Sequence, residues 1–271
     1  MAKDTGTTTR VAADELLVAT GLQKRFGTTY AVRGIDLRVK AGEVLGFLGP
    51  NGAGKSTSMR MVTGYLEPTA GTITLCGVNL LTHPIEAKRT FGYLPEGAPA
   101  YPEMTVEEFL AFVAAARGYS GSEARDRVEG VIERVHLQGV RRKSFETLSK
   151  GYKRRTGLAQ ALMHDPRILI LDEPTDGLDP NQKHEVRELI RDLGKDRAVV
   201  LSTHILEEVE AVCTRAMVIN HGSVVFDGTP AEMESKAPAH ITKNRMDHVF
   251  RMLTTGDRAT GHAKHAKGAR R

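Results

Sequence analysis

The sequence predicts an α/β fold with a parallel sheet, and three observations carry the prediction. A short apolar strand, Val44 to Leu48, runs into the glycine-rich turn GPNGAGKST, Gly49 to Thr57, and then into a helix opening near Gly54. Two further apolar runs of strand length, Ile168 to Leu171 and Ala198 to Ser202, are joined by a helical pattern from Asn181 to Leu193. Such a crossover is right-handed and returns the second strand parallel to the first. Between them, from about 97 to 165, the pattern turns helical, as expected of an inserted α-helical subdomain.

The remaining elements follow in order. Residues 1–12 read as a flexible end. The first unit runs from Leu16 to about Lys88, with short strands near Leu16 to Leu22, Ile35 to Val39, Val44 to Leu48 and Gly71 to Leu75, all surrounding the glycine loop. Thr105 followed by Glu108 forms a capping box before EEFLAFVAAAR, and Ser122 to His136 is a second amphipathic stretch. Strand and helix alternate again after Pro166. Residues 231–254, with AEMESK and KNRMDHVFRMLT, predict a C-terminal helical extension.

Composition narrows the class. The longest apolar runs are far below the roughly 20 residues that cross a bilayer. No charged, apolar and small-residue start resembles a secretory signal, so a cytoplasmic location is expected. The two cysteines, Cys76 and Cys213, are expected to be separately buried small hydrophobes rather than a disulfide. Most of the net charge of +5 lies in residues 255–271, where Arg258, Lys264, Lys267, Arg270 and Arg271 face only Asp257. That tail lacks apolar periodicity and is expected to be disordered, either a solvated end or a contact for anionic lipid or RNA. Nucleic acid is not expected as a partner of the folded part.

Three constellations carry chemistry. Glycines 49, 52 and 54 permit a tight turn whose backbone N–H groups converge on an anion, and the helix N-terminus behind it adds unpaired donors. The whole loop, Gly49, Pro50, Asn51, Gly52, Ala53, Gly54, Lys55, Ser56 and Thr57, is thus the candidate nucleotide cradle. Lys55 would reach the outer phosphates as a point charge, Ser56 would offer its hydroxyl to Mg2+, and Thr57 would support the phosphate contacts. In ILILDEPTDGLDP, Ile168 to Pro180, two carboxylates follow a buried strand. Asp172 is the candidate for holding Mg2+ through water, and Glu173 for orienting or deprotonating the attacking water. VVLSTH delivers His204 to the same sheet edge, where it would link phosphate, water and the loop around Asp179 without being the base itself.

Together these segments resemble the nucleotide-binding subunit of an ATP-binding cassette (ABC) transporter, over about Leu16 to Pro230 within an ATPase domain of 13–230. LSKGYKRR, Leu148 to Arg155, looks like that family's signature segment; Ser149 can cap the helix entering at Lys150, and Gly151 lets backbone approach a phosphate. The resemblance implies a P-loop NTPase core with a mainly parallel central sheet, an N-terminal antiparallel β subdomain and an inserted helical subdomain. It also implies ATP and Mg2+ as cofactors. Two copies would form a head-to-tail dimer, or one would pair with a related ATPase, the Gly49–Thr57 loop of one and the Ser149–Gly151 segment of the other enclosing each ATP. A separate integral membrane permease would be driven through contacts around the helical lobe, at the inner face of the membrane.

Residue by residue, Phe26 lies where the family has an adenine-stacking ring, with Tyr30 close enough to compete. Glu96 stands where glutamine is usual, touching metal or water; it accepts hydrogen bonds but cannot donate an amide proton. Lys150 replaces the more usual glycine of the signature, and Asp179 in GLDP would couple the two sites across the interface. GYLPE, LSKGYKRR and DEPTDGLDPNQ look most like the ATPases of ABC-2 type exporters, in the gliding-motility and copper-enzyme-maturation branches. Soluble relatives in translation or repair use the same clamp, but those carry two cassettes or long coiled-coil insertions, and neither pattern occurs here. A nucleotide-sensing scaffold without turnover would be favoured by loss of Glu173 or His204, and both are present.

Overall fold

The computed structural model describes residues 14–97 and 100–255. The expectations for residues 1–12, and for the basic tail beyond Thr255, lie outside the described residues.

The chain opens with a long hairpin of β1 (Glu15–Phe26) and β2 (Thr29–Lys40), followed by β3 (Val44–Leu48) and α1 (Lys55–Val62). β4 (Ala70–Leu75), β5 (Val78–Asn79), α2 (Pro84–Lys88) and β6 (Phe91–Leu94) come next, then the helices α3 (Val106–Ala116), α4 (Gly121–Arg134) and α5 (Lys150–Leu162). β7 (Ile168–Asp172), α6 (Pro180–Leu193), β8 (Ala198–Thr203) and α7 (Leu206–Val212) restore the alternation. A hairpin of β9 (Arg215–Asn220) and β10 (Ser223–Gly228) and two helices, α8 (Pro230–Ser235) and α9 (Arg245–Thr255), complete the described chain.

Two sheets result. One is antiparallel, in the order β2-β1-β4-β5; the other runs β10-β9-β3-β8-β7-β6 and is parallel except for the edge hairpin. This is the P-loop NTPase architecture, with its N-terminal antiparallel sheet and inserted helices. The first hairpin outruns the predicted strands because its polar residues, such as Gln23 and Arg38, lie on the solvent side while Leu17, Leu22, Ile35 and Leu37 alternate inward. β5, β6, β9 and β10 go beyond the strands expected from sequence: β5 is two residues and β6 only four, FGYL, too short for periodicity to speak.

Side chains of β7 and β8 divide between two cores. Ile168, Ile170, Ala198 and Val200 face β1, β2 and α1, with Leu45 and Phe47 of β3. Leu169, Leu171, Val199 and Leu201 face α3, α4 and α5, where Leu110, Ile132 and Leu158 are also buried. Both faces are therefore covered, as a parallel sheet requires. A third core joins Leu48, Val218 and Phe226 to Met233 of α8 and to Met246 and Val249 of α9, so the C-terminal helices pack on the same sheet that carries the glycine loop. Cys76 and Cys213 are free; the Cys213 sulfur packs over Gly46, and burial pushes its thiol pKa well up. No helix among the described residues is long and apolar enough to cross a membrane.

The capping box at the start of α3 forms: the Thr105 hydroxyl accepts from the Glu108 backbone N–H at 3.2 Å, and the Thr105 N–H donates to Glu108 Oε2 at 2.8 Å. Because Val106, Phe109 and Leu110 anchor the helical lobe, Thr105→Ala is expected to cost about 1 kcal/mol, read as a lower urea midpoint with unchanged slope.

Candidate nucleotide site

The glycine loop leaves β3 through backbone that no side chain could occupy. A Cβ on Gly49 would lie 2.5 Å from the Ile219 carbonyl oxygen, and one on Gly54, whose φ is 108°, would lie 2.6 Å from that of Ala31. α1 begins at Lys55 with no side chain capping its N-terminus, so its first N–H groups remain open to an anion. Lys55 is buried, and its ammonium folds back to donate to the Gly49 carbonyl at 2.6 Å and to that of Pro50 at 3.4 Å. Burial holds its pKa below the ordinary lysine value, while the charges of Glu173 and Asp172 oppose that shift. A buried cation whose hydrogen bonds among the described residues all go to carbonyl oxygens, at the mouth of an uncapped helix, fits a polyphosphate.

The carboxylates arrive by strand register. β7 and β8 pair in parallel with Asp172 opposite Ser202, and the Glu173 N–H donates to the Ser202 carbonyl at 2.9 Å. Glu173 then takes a left-handed φ of 49°, uncommon for a residue with a side chain and frequent at functional turns. That turn carries its carboxylate to His204, whose Nδ1 lies 2.9 Å from Oε1 and 3.0 Å from Oε2. A carboxylate can only accept, so Nδ1 carries the proton. The Glu173 side chain is 16 % exposed and that of His204 52 %, so the pair meets solvent through the imidazole.

Asp172 is buried. Burial raises its pKa, the Glu96 charge adds to the rise, and Lys55 and Arg154 oppose it. With Ser56 and Glu96 it lines a 650 Å³ pocket completed by Arg60, Tyr65, Tyr93, Pro95 and Gly97. Burial and Asp172 together push the Tyr93 phenol up to about 12. A hydroxyl and two carboxylates in one polar pocket form an all-oxygen donor set, which suits a hard cation such as Mg2+. The buried negative charge of Asp172 is what such a cation would offset.

The structure thus gathers Gly49–Thr57, Asp172, Glu173, Glu96 and His204 around one sheet edge. The Ser149–Gly151 turn packs elsewhere. Ser149 caps α5 through a long 3.5 Å contact from the Tyr152 N–H, a Cβ on Gly151 would collide with the Gln182 carboxamide, and the Lys150 side chain lies over Gly177. Asp179 caps α6, accepting from the Gln182 N–H at 3.0 Å. Phe26 and Tyr30 stand exposed at the tip of the first hairpin, each beside a cation, Lys24 at 5.4 Å and Arg33 at 5.8 Å from the ring centres.

Sequence reasoning missed Arg154, which is buried and donates to the Pro95 carbonyl at 3.1 Å, tying α5 to the loop that carries Glu96. Its signal was a run of three basic residues, Lys153 to Arg155, opening the segment KRRTGLAQAL of the helix. It also missed Glu208, buried one turn beyond His204.

Asp172 yields a prediction with a definite sign. Its raised folded pKa means that ionisation costs the folded state more than the unfolded one. Asp172→Asn should therefore melt higher than the wild type in the absence of nucleotide. The gain should be absent well below about pH 4, where the carboxyl is neutral in both states, should grow as pH rises from there to the raised folded pKa, and should level off above it. Thermal melts across pH check it; an unchanged difference from acid to neutral pH would refute it.

Comparison with known proteins agrees with this fold. Residues 32–176 match the family model described as ABC transporter. The chain is 37% identical to the uncharacterized ABC transporter ATP-binding protein YxlF of Bacillus subtilis, over 83% of this chain and 75% of that one. It is 39% identical to the Nod factor export ATP-binding protein I of Burkholderia orbicola, over 77% of this chain and 69% of that one. A solved ATP binding subunit of an ABC transporter superimposes with a TM-score of 0.78 at 30% identity, covering 88% of this chain and 99% of the other. With a phosphate loop, a strand-end carboxylate pair and a histidine meeting on the matching fold, the chain belongs to the ABC transporter family, as the ATP-hydrolysing subunit that works through a partner permease.

Proposed function

We propose that this subunit drives an ABC-2 type exporter of the gliding-motility and copper-enzyme-maturation branches from the cytoplasmic face of the membrane, with Glu173 and His204 as its hydrolytic pair. The observation that carries the catalytic part is the Glu173–His204 contact at the ends of two adjacent parallel strands, beside Lys55 and Asp172. Export is favoured by the similarity to the Nod factor export ATP-binding protein I and by the motifs GYLPE, LSKGYKRR and DEPTDGLDPNQ.

In this reading the loop from Gly49 to Thr57 cradles the phosphates of ATP, and Lys55 exchanges its carbonyl partners for phosphate oxygen. Ser56, Asp172 and Glu96 would hold Mg2+, which when bound supplies charge neutralisation at the phosphates. Glu173 orients the water and takes its proton. His204 donates from Nδ1 to keep that carboxylate aimed. Phe26 or Tyr30 stacks on the adenine.

The Ser149–Gly151 turn, Lys150 and Asp179 serve the second half-site, completed by another copy of this chain in a head-to-tail dimer. What supports a dimer is that this turn packs against Gly177 and Gln182 rather than lying over its own phosphate loop. The permease docks at the helical lobe, where Tyr101 and Phe112 are both exposed and meet edge to face with ring centres 5.4 Å apart.

Glu173→Gln tests the reading. It is expected to bind ATP as tightly as the wild type, to lose about 10²–10⁴-fold in kcat, and to accumulate as a dimer with ATP. Lys55→Ala should instead raise the ATP Kd. Wild-type turnover in Glu173→Gln, together with a monomer at saturating ATP by light scattering, would sink the assignment.

A further inference from the structure

The turn that carries His204 is held by a buried carboxyl that the roles above leave unused. Glu208 is 1 % exposed and lies in the first turn of α7. Its Oε2 accepts from the Thr203 hydroxyl at 2.7 Å, and that hydroxyl oxygen accepts in turn from the Ile205 N–H at 3.1 Å. Thr203 is itself fully buried as the last residue of β8. Ile205 caps α7 without any side-chain acceptor of its own, so its N–H depends on this relay. In an ordinary capping box the acid three residues into the helix returns directly to the cap N–H. Here it returns through a threonine hydroxyl, and the two backbone positions so pinned, 203 and 205, flank His204.

This arrangement is costly, which argues against a merely polar filler. Glu208 Oε1 has no hydrogen-bond partner among the described residues, and an unsatisfied buried oxygen loses its hydration without return. The charged groups that face Glu208 are Arg187 and Lys183 of α6 and Glu173 at the end of β7. Arg187 keeps Nε and Nη2 buried without a hydrogen bond, so Glu208 is not held in place by an ion pair of good geometry. Its one short contact is with the hydroxyl that braces the histidine turn.

We infer that Glu208 is a positioning residue for ATP hydrolysis: through the Thr203 hydroxyl it fixes the backbone on both sides of His204 and so aims the imidazole at Glu173. The inference rests on the catalytic role proposed for that histidine. Glu208 touches neither nucleotide nor water in this scheme. It acts by confining the orientation of a side chain that is half exposed and would otherwise sample several rotamers.

The test uses the full chain in four single variants, one double variant and His204→Ala, with ATPase kinetics and the His204 side-chain ¹⁵N signals of the nucleotide-free protein at one fixed pH. Thr203→Val and Glu208→Leu break the relay; Thr203→Ser and Glu208→Gln keep a hydroxyl and an acceptor in place. The relay-breaking pair should lose about 10-fold or more in kcat with KM for ATP within about 2-fold, and the conservative pair should stay within about 3-fold of wild type. The double variant Thr203→Val/Glu208→Leu should be no slower than its slower parent, because both remove one linkage. The His204 Nδ1 signal should move away from its carboxylate-bonded position only in the relay-breaking variants.

A Thr203→Val protein with wild-type kcat and an unmoved His204 signal would overturn the inference. So would equal losses in Glu208→Gln and Glu208→Leu, or losses that multiply in the double variant. Should Glu208→Leu fail to show a cooperative melt, Thr203→Val against Thr203→Ser decides alone. His204→Ala separates the two layers. Unchanged kcat in that variant would remove the catalytic role of the histidine, while the ¹⁵N signal would still report whether Glu208 orients it.

Discussion

The parallel register that pairs Leu48 with Thr203 and Asp172 with Ser202 fixes where every candidate catalytic group can lie. Three strands then end together, and the loop at Gly49, the carboxylates at 172 and 173, and the turn at 203–205 open on one edge of the sheet. A slip of one residue would send each side chain to the opposite face. Since both faces are apolar, polarity alone would not forbid it. What forbids it is the division of the strands between two differently shaped cores, with Ile168 and Ile170 packed toward β1 and β2 and Leu169 and Leu171 toward the helical lobe. The packing of the core is therefore also the alignment of the site.

That alignment concentrates charge that the protein's own groups do not fully balance. Lys55 is buried with its proton held against desolvation by Glu173 and Asp172, and Asp172 is buried with a raised pKa despite Lys55 and Arg154. Each group is poorly served by water and incompletely served by its neighbours. A polyphosphate with its cation would supply partners of both signs at once. Glu173 adds backbone strain at its left-handed φ, offset by the hydrogen bond to the Ser202 carbonyl. Stability is thus lowered at the place where ligand binding can restore it.

Much of this was legible in the sequence because the relevant constraints are local. GPNGAGKST specifies its own turn chemistry, ILIL and VVLS are long enough and apolar enough to declare buried strands, and Thr105 with Glu108 declares a helix start that the structure reproduces. The less visible parts depend on distant partners. β6 is four residues long and exists because β7 pairs beside it; β9 and β10 flank a His221–Gly222 turn, both residues at positive φ, that reads as a loop until β3 supplies a neighbour. Within the site, the carboxylate pair and the histidine could be named from spacing, but their contact could not, since it requires the φ of Glu173. Arg154 and Glu208 were invisible for a related reason: a charge on a helix reads as a solvated face until the fold buries it.

The two departures from the family pattern, Lys150 and Glu96, meet different local answers. The signature helix brings Lys150 over Gly177, and with only hydrogen at that position the long side chain lies flat on the turn before Asp179. The backbone there has a φ of +70°, so a side chain at 177 would be strained as well as obstructive. Glu96 brings a second carboxylate to the pocket of Asp172, and its negative charge works against ionisation of that residue. The compensating charge comes from the same helix: Arg154, four residues after Lys150, donates to the Pro95 carbonyl and stands within electrostatic reach of Asp172. One face of α5 therefore touches the turn that leads into α6 through Lys150 and, one turn later, holds the loop beside the candidate metal ligands through Arg154. A displacement of this helix would be felt at both ends through contacts already made within a single chain, that of Lys150 with Gly177 and that of Arg154 with the Pro95 carbonyl.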